Sequence, residues 1–476
     1  MNVVKTISEP GGSAPNPLSG SSSAVRGRIL LLLHLITGIS VALIPVITKY
    51  FLGFSRSFGA LQWSAVAIGV AIVAVGFSRH RTTIFQISSA LCLVLVSLFV
   101  VLAVGEVVLR IIGFDFARQE KVWRELPPAF RQPIVPTGKV FFRREGPERW
   151  TGRPLNVYIK GSLPNPYTAE PVMTIEYNGQ GFRNPQEMKS WEIAVAGDSF
   201  TELGYLPYDQ LFTSILARAL NVSVLNLGTS YTGPLTQLSY LQDYGLSAGT
   251  KHVLIVFYEG NDLDDLSGEY SALERWNATG QRDYREFQKQ PSLLVFLYQT
   301  AYRLKKQMFS PQTAPQERNV VTAYFKSGSG DVPVTLAPSD GPPGRSELPA
   351  GTMQHLQYFF SHYADFGRER RITIWLAYMP TKLRVLHGNL EFSRAMLTKL
   401  PKLKRLESWK PNDLPALLAE LCTKYGVRFI DLTPALIRET GKSGRLLYNS
   451  LYDTHLNQEG SRVVGEELAL HLKDAR

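Results

Sequence analysis

Five short, largely apolar runs constrain this chain more than any other feature: EIAVAG (192–197), SVLNLG (223–228), HVLIVFY (252–258), ITIWLAYMP (372–380) and VRFIDL (427–432). Each is too short for a core helix and too continuous for a strand with one wet face, so each reads as a strand buried on both sides. Amphipathic helical patterns fall between them, at 208–220, 235–245, 352–369 and 414–426. This alternation predicts an α/β fold with a parallel five-stranded sheet covered on both faces. In such sheets ligands bind beyond the carboxyl ends of the strands. The first run ends there on Gly197-Asp198-Ser199.

Nearer the N-terminus three segments carry almost no charge, at 29–54, 61–77 and 83–114. A bilayer span needs about 20 apolar residues. The sequence therefore predicts three transmembrane helices within 27–114, preceded by a disordered, Ser-, Gly- and Pro-rich cytoplasmic tail at 1–26. Lys5, Arg26, Arg28, Arg79 and Arg81 would share one side, against Lys49 and Arg56 in the loop between the first two spans. That asymmetry puts the N-terminus inside and everything after Arg110 outside. In a bacterium this is an inner-membrane protein with a periplasmic or extracellular domain. The first span lacks an evident cleavage site and should stay as an anchor. Glu106 and Arg110, four residues apart in the third span, read as an ion pair near the outer interface.

The formal charge of +11 would ordinarily suggest a polyanion partner. Residues 1–110 hold eight Lys and Arg against two Glu, so +6 belongs to the membrane region and the rest is spread over a large soluble part. With no nucleic-acid motif present, no nucleic-acid partner is expected. The basic stretch KLPKLKRLESWK at 399–410 reads as a solvated face, with contact to acidic glycan or anionic lipid headgroups as the alternative. Two cysteines, Cys92 and Cys422, exclude a disulfide scaffold and a thiolate metal cluster. There is no phosphate-binding glycine loop, dinucleotide fingerprint or close histidine pair, so neither cofactor nor metal is expected.

The soluble part divides further. Residues 115–190 are proline-punctuated with short strand-like pieces and read as a linker and small β-rich accessory segment. The main domain is expected over 191–476, interrupted at 263–350 by an insertion containing one apolar helical segment, PSLLVFLYQTAYRLKKQMF. An insertion leaving the active edge of a sheet suits a lid, a substrate contact or a partner-docking surface.

A serine becomes a nucleophile only when a base takes its proton, and that base must be held in one tautomer by a third group. Of the eight histidines, His34 falls in a span and His80 in a cytoplasmic loop. His252, His355, His362, His387 and His471 have no evident carboxylate partner. His455 has Asp453 two residues ahead of it, just before an amphipathic helix that Asn457 could cap. In that short loop a carboxylate can accept the Nδ1 proton while Nε2 faces outward. Attack also needs donors for the developing oxyanion. The backbone N–H groups of Ser199 and Gly228 and the side-chain amide of Asn261, each at a strand end, could supply them. Each residue alone has a structural use as well: Ser199 as a helix cap, Gly228 as a turn glycine, Asn261-Asp262 as an Asx turn.

Taken in order, Gly197-Asp198-Ser199, Gly228 in NLGTSYTG, Gly260-Asn261-Asp262 and Asp453-Thr-His455 resemble the four sequence blocks of the SGNH (GDSL-like) hydrolases. The likeness covers about residues 175–472. EYNGQGFRN, just ahead of the first block, is similar to the membrane-anchored bacterial members. The resemblance implies a flavodoxin-like three-layer sandwich, with Ser199 as nucleophile, His455 as base and Asp453 as its orienter. It also implies an oxyanion hole of Ser199, Gly228 and Asn261, with Asp198 structural. Two departures stand out: the common GDSxTxG becomes Thr201-Glu202-Leu203-Gly204, and Asp-x-His replaces the commoner Asp-x-x-His. The shorter spacing, and YMPTKLRVLHG at 378–388, resemble proteins that O-acetylate exopolysaccharides. They imply a serine esterase acting on an acylated glycan or lipid-linked substrate. The alternatives are an O-acetyltransferase, which would need a multi-span membrane acyltransferase as partner, and a non-catalytic scaffold.

Overall fold

The computed structural model describes residues 19–50, 60–78 and 83–114. It also describes 126–280 apart from 132, 134, 137–141, 160–164 and 186–187, then Leu293, Phe296, Leu297, Thr300, and 321–473 apart from 329 and 400–402. The chain forms two compact units, residues 1–116 with 291–304, and residues 117–290 with 305–476.

The first unit holds helices α1 (Ser19–Tyr50), α2 (Ala60–Gly76) and α3 (Thr83–Ile111). α1 begins inside the stretch read from the sequence as a tail, whose residues 1–18 lie outside the described residues, as do Lys5, Arg56, Arg79 and Arg81. Close packing of α1 on α2 depends on two facing glycines: a Cβ on Gly69 would lie 2.5 Å from the Gly38 carbonyl oxygen. Small residues of this kind let helix backbones touch. His34 of α1 is buried, with Nδ1 2.8 Å from the Leu30 carbonyl and Nε2 3.1 Å from Ser88 Oγ of α3. Of three expected spans, one helix among the described residues, Thr83–Ile111, is both long and apolar enough to cross a bilayer. Gly27–Leu43 within α1 and Trp63–Gly76 within α2 are shorter apolar stretches among the described residues.

Glu106 and Arg110 form an ion pair on α3, and Glu106 does more than its spacing suggested. Its Oε2 accepts the amide N–H of Leu293 at 2.5 Å, and Leu293 Cδ2 approaches Gly105. Leu293 of the insertion thus packs within the helical unit.

In the second unit the sheet contains β1 (Ile193–Gly197), β2 (Val224–Asn226), β3 (His252–Tyr258), β4 (Thr373–Met379) and β5 (Arg428–Asp431). All four pairings are parallel and the spatial order is 2-1-3-4-5, the flavodoxin-like arrangement. Alternate residues feed opposite faces, which is why the runs are apolar throughout. Ile193, Val195, Leu254, Val256 and Trp375 join a core with α4 (Phe212–Leu220), α9 (Thr433–Ser443) and α10 (Gln458–Lys473). Ala194, Ala196, Val253, Ile255 and Leu376 join a second core with α5 (Pro234–Tyr244), α6 (Asp262–Thr279), α7 (Thr352–Arg370) and α8 (Leu414–Tyr425). Helix–sheet–helix makes three layers. α6 is an ordinary crossover helix, so the insertion begins after it and not at 263; the acidic residues in its first turn, Asp262, Asp264 and Asp265, hid its amphipathic period.

Two small sheets build the accessory segment, Val135–Pro136 with Phe142–Arg143 and Glu148–Gly152 with Met173–Tyr177, both antiparallel. Within the insertion, Ala323–Ser327 pairs with Gly330–Val334 and with Leu390–Phe392.

Candidate active site

β1 ends at Gly197, where a Cβ would lie 2.1 Å from Thr201 Oγ1, so only glycine lets the chain turn directly into the helix Ser199–Glu202. Asp198 caps that helix: its Oδ1 accepts the Phe200 N–H at 2.8 Å, and Ser199 Oγ lies 3.4 Å from its Oδ2. The amide of Ser199 itself, in the first turn of a helix, has no intrahelical acceptor.

The histidine arrives from the far end of the chain. Residues 447–457 form a closed loop, pinned by the Asn449 N–H to the His455 carbonyl (2.8 Å) and the Asn457 N–H to the Leu447 carbonyl (3.0 Å). Asn457 Oδ1 caps the start of α10 through the Gly460 N–H at 3.0 Å. His455 Nε2 lies 2.8 Å from Ser199 Oγ, and Nδ1 lies 3.1 Å from each oxygen of Asp453. Asp453 Oδ1 also accepts the His455 N–H at 2.8 Å and Asn449 Nδ2 at 3.0 Å. Burial works against the Asp453 carboxylate, but His455 and these donors overcome it and hold the group well below its usual range. Burial likewise opposes the imidazolium, and Asp453 outweighs it, so the His455 pKa is raised. A carboxylate kept ionised on Nδ1 leaves Nε2 as the base for the serine proton.

Asn261, at the start of α6, donates from Nδ2 to Asp265 Oδ2 at 2.7 Å, and its amide also relieves Asp198, whose carboxyl is raised by burial. Burial pushes Asp265 up to about 6 and Glu269 up to about 7. Gly260 lies in the turn before Asn261, and Asp262 is buried with Oδ2 accepting the Tyr258 N–H at 2.8 Å.

Gly228 does not serve as the resemblance implied. Its N–H donates to Asn226 Oδ1 at 2.8 Å and is consumed inside the protein. Absence of a side chain there meets a packing need, because a Cβ would stand 2.4 Å from the Glu202 nitrogen and 2.5 Å from the Thr201 carbonyl carbon. Asn226 is the residue the sequence reading missed; its Nδ2 also donates to the Thr201 carbonyl at 3.2 Å, tying β2 to the serine helix.

Glu202, noted only as a departure from the common motif, is buried and forms an ion pair with Arg144 of the accessory segment. It also accepts Tyr177 Oη at 2.6 Å, the Ser230 N–H at 2.5 Å and Ser230 Oγ at 2.6 Å. Arg144 spends its remaining donors on the carbonyls of Pro128, Ala129 and Arg131. The displaced glycine, Gly204, packs against Ala129, where a Cβ would come within 2.0 Å. Accessory segment and serine helix therefore form one buried polar network.

A cavity of about 190 Å³ is lined by Phe142, Tyr231, Thr232, Asp264, Asp265 and Glu269, among others, and by none of Ser199, His455, Asp453 and Asn261. Its walls are acidic and partly aromatic. It is smaller than the roughly 300–1,000 Å³ typical of pockets for drug-sized ligands.

No protein-family model matches this sequence, and no curated protein matches it. Among solved structures it is similar to an acetyl xylan esterase at 11% identity, covering 59% of this chain and 99% of that one with a TM-score of 0.29. A lipolytic protein of the G-D-S-L family from Veillonella parvula DSM 2008 is 12% identical over 60% of this chain and 99% of that one, TM-score 0.27. The phospholipase A1 from Streptomyces albidoflavus NA297 is 11% identical over 60% and 99%, TM-score 0.30. Likenesses at this level do not identify the chain, whose chemistry rests on its own side chains.

Proposed function

We propose that this chain is an SGNH-type serine esterase that removes short acyl groups, acetyl foremost, from a cell-envelope or exported polysaccharide. The observation that carries the proposal is the 2.8 Å approach of His455 Nε2 to Ser199 Oγ, with Asp453 on the opposite ring nitrogen. Ser199 Oγ attacks the ester carbonyl as its proton passes to Nε2. The alkoxide leaves with that proton, and acyl-Ser199 remains. Water, deprotonated by the same imidazole, releases the acid and restores the serine. The Ser199 amide donates to the oxyanion, and Asn261 Nδ2 joins it by exchanging its bond to Asp265 Oδ2; each such donor is worth about 3–4 kcal/mol where one has been removed.

The apolar helices at the N-terminus support membrane anchoring, and the Lys and Arg distribution supports an N-terminus inside and a catalytic unit outside the cytoplasm.

Fluorophosphonate labelling of the detergent-solubilised chain tests the proposal. Wild type should label, Ser199→Ala should not, and His455→Ala should label at least 100-fold more slowly. Short p-nitrophenyl esters should be preferred to long ones. A folded wild type that neither labels nor hydrolyses acetyl esters would sink the esterase assignment.

A further inference from the structure

We propose that Lys382 is a positioning residue of the catalytic loop, whose charge also keeps His455 available as a base. The inference rests on the assignment of Ser199, His455 and Asp453 as a nucleophilic triad.

Lys382 lies in the turn after β4, first residue of the short helix Lys382–Leu386 that Thr381 caps. Its side chain is fully buried, an unusual place for an ammonium. Nζ donates to three main-chain carbonyls: Thr335 at 3.0 Å, Asn449 at 2.7 Å and Asp453 at 2.7 Å. Three N–H bonds meet three acceptors, so the ammonium is saturated with no carboxylate in direct contact among these bonds. Two of the acceptors belong to the catalytic loop itself. Asp453 is the orienter, and Asn449 is the residue whose side chain donates to Asp453 Oδ1. The third acceptor, Thr335, also accepts the Tyr452 N–H on its hydroxyl at 3.1 Å. One ammonium thus fixes the main chain on both sides of the turn that carries the acid and the base.

The same position is electrostatic. The charged and titratable groups facing His455 are Asp453 from its own loop, Asp198 from the end of β1, Tyr205 from the chain after the serine helix and Lys382 from the end of β4; Asp453 and Asp198 favour the imidazolium and Lys382 opposes it. Those facing Lys382 are Asp340 and Asp453. Asp340 is tied to the same loop, its Oδ1 accepting Thr454 Oγ1 at 3.0 Å. With two carboxylates beside the imidazole and no cation, His455 would hold its proton to higher pH and be a weaker participant at neutral pH. Lys382 offsets that pull without touching the ring.

Burial pulls the Lys382 ammonium down to about 8, against Asp340 and Asp453. A neutral amine has two N–H bonds for three carbonyls and turns a lone pair toward the third, so the loop loses its anchor above that pH. A lysine whose folded pKa is lowered adds stability as pH rises from the folded to the unfolded value, so this titration does not itself unfold the protein.

The test is the pH profile of fluorophosphonate labelling for wild type and Lys382→Met, with thermal unfolding alongside. Wild type should show a bell, its alkaline limb falling through about pH 8 while the unfolding midpoint holds. Lys382→Met should label about tenfold or more slowly and lose the alkaline limb, and its acid limb should move to higher pH. A variant that is slower and less stable with both limbs unchanged would reduce Lys382 to a structural strut. Should Lys382→Met not fold, the wild-type profile decides: a flat plateau to pH 10 in folded protein overturns the role. No labelling of wild type at any pH would instead defeat the triad assignment on which the inference stands.

Discussion

Removing the guanidinium of Arg144 should destabilise the catalytic unit in a pH-dependent way that removing its partner cannot reproduce. The Arg144 and Glu202 side chains are 4% and 0% exposed. Burial opposes both charges; each overcomes it for the other, so Glu202 sits below and Arg144 above its ordinary pKa. Breaking such a pair by deleting one member costs about 3–5 kcal/mol. The two deletions differ in what they strand. Glu202→Gln leaves a guanidinium that cannot deprotonate in the accessible range, so the full loss should persist at every pH. Arg144→Met leaves a carboxylate with Tyr177 and Ser230 as remaining donors, and it can escape by taking up a proton. Its folded pKa then rises above the unfolded value, so the contribution is intact at low pH and is lost as pH rises. Wild-type Glu202 has the opposite sign, stabilising above the carboxylate range and failing only as pH falls through its lowered pKa. Differential scanning fluorimetry of both variants against wild type at pH 5 and pH 8 separates the cases. Arg144→Met should lose roughly 5–10 °C at pH 8 and clearly less at pH 5. Glu202→Gln should lose about the same at both. Equal losses for Arg144→Met at the two pH values would refute the reasoning, because the stranded carboxylate would then not be titrating.

Two further outcomes follow from the site. Asp453→Asn keeps the shape of the loop but offers Nδ1 the wrong partner, so labelling should fall by about 10⁴-fold with little change in unfolding midpoint, as seen when such an acid is replaced elsewhere. Gly228→Ala forces a Cβ into the backbone of Thr201 and Glu202, so the serine helix must move. The variant should lose about 1–3 kcal/mol in denaturant titration together with most of its labelling, whereas a variant of wild-type stability would mean the helix yields freely.

The strands were legible because burial on both faces writes a continuous apolar run, a local pattern that needs no knowledge of neighbours. HVLIVFY is a strand from His252 to Tyr258 without adjustment of either end. Ser199 was legible for the same reason, since it follows directly from where a buried strand stops, and Asp453 and His455 because two residues of separation confine them to one loop. α6 was not, because three carboxylates in its first turn mask the apolar stripe until the helix is seen packed between α5 and α7.

By itself, then, the sequence determined the five strands, their alternation with helices, and the three residues, Ser199, His455 and Asp453, whose side chains the fold brings together. Tertiary structure alone decided the partners of buried polar groups. Glu202 finds its cation 58 residues upstream, Lys382 finds carbonyls 47, 67 and 71 residues away, and the Gly228 amide goes to Asn226 rather than to the site. Hydrophobic period is a property of a segment and survives in one dimension. A buried charge or amide instead takes whichever partner the packed layers bring within about 3 Å, and that choice exists only once the chain has folded.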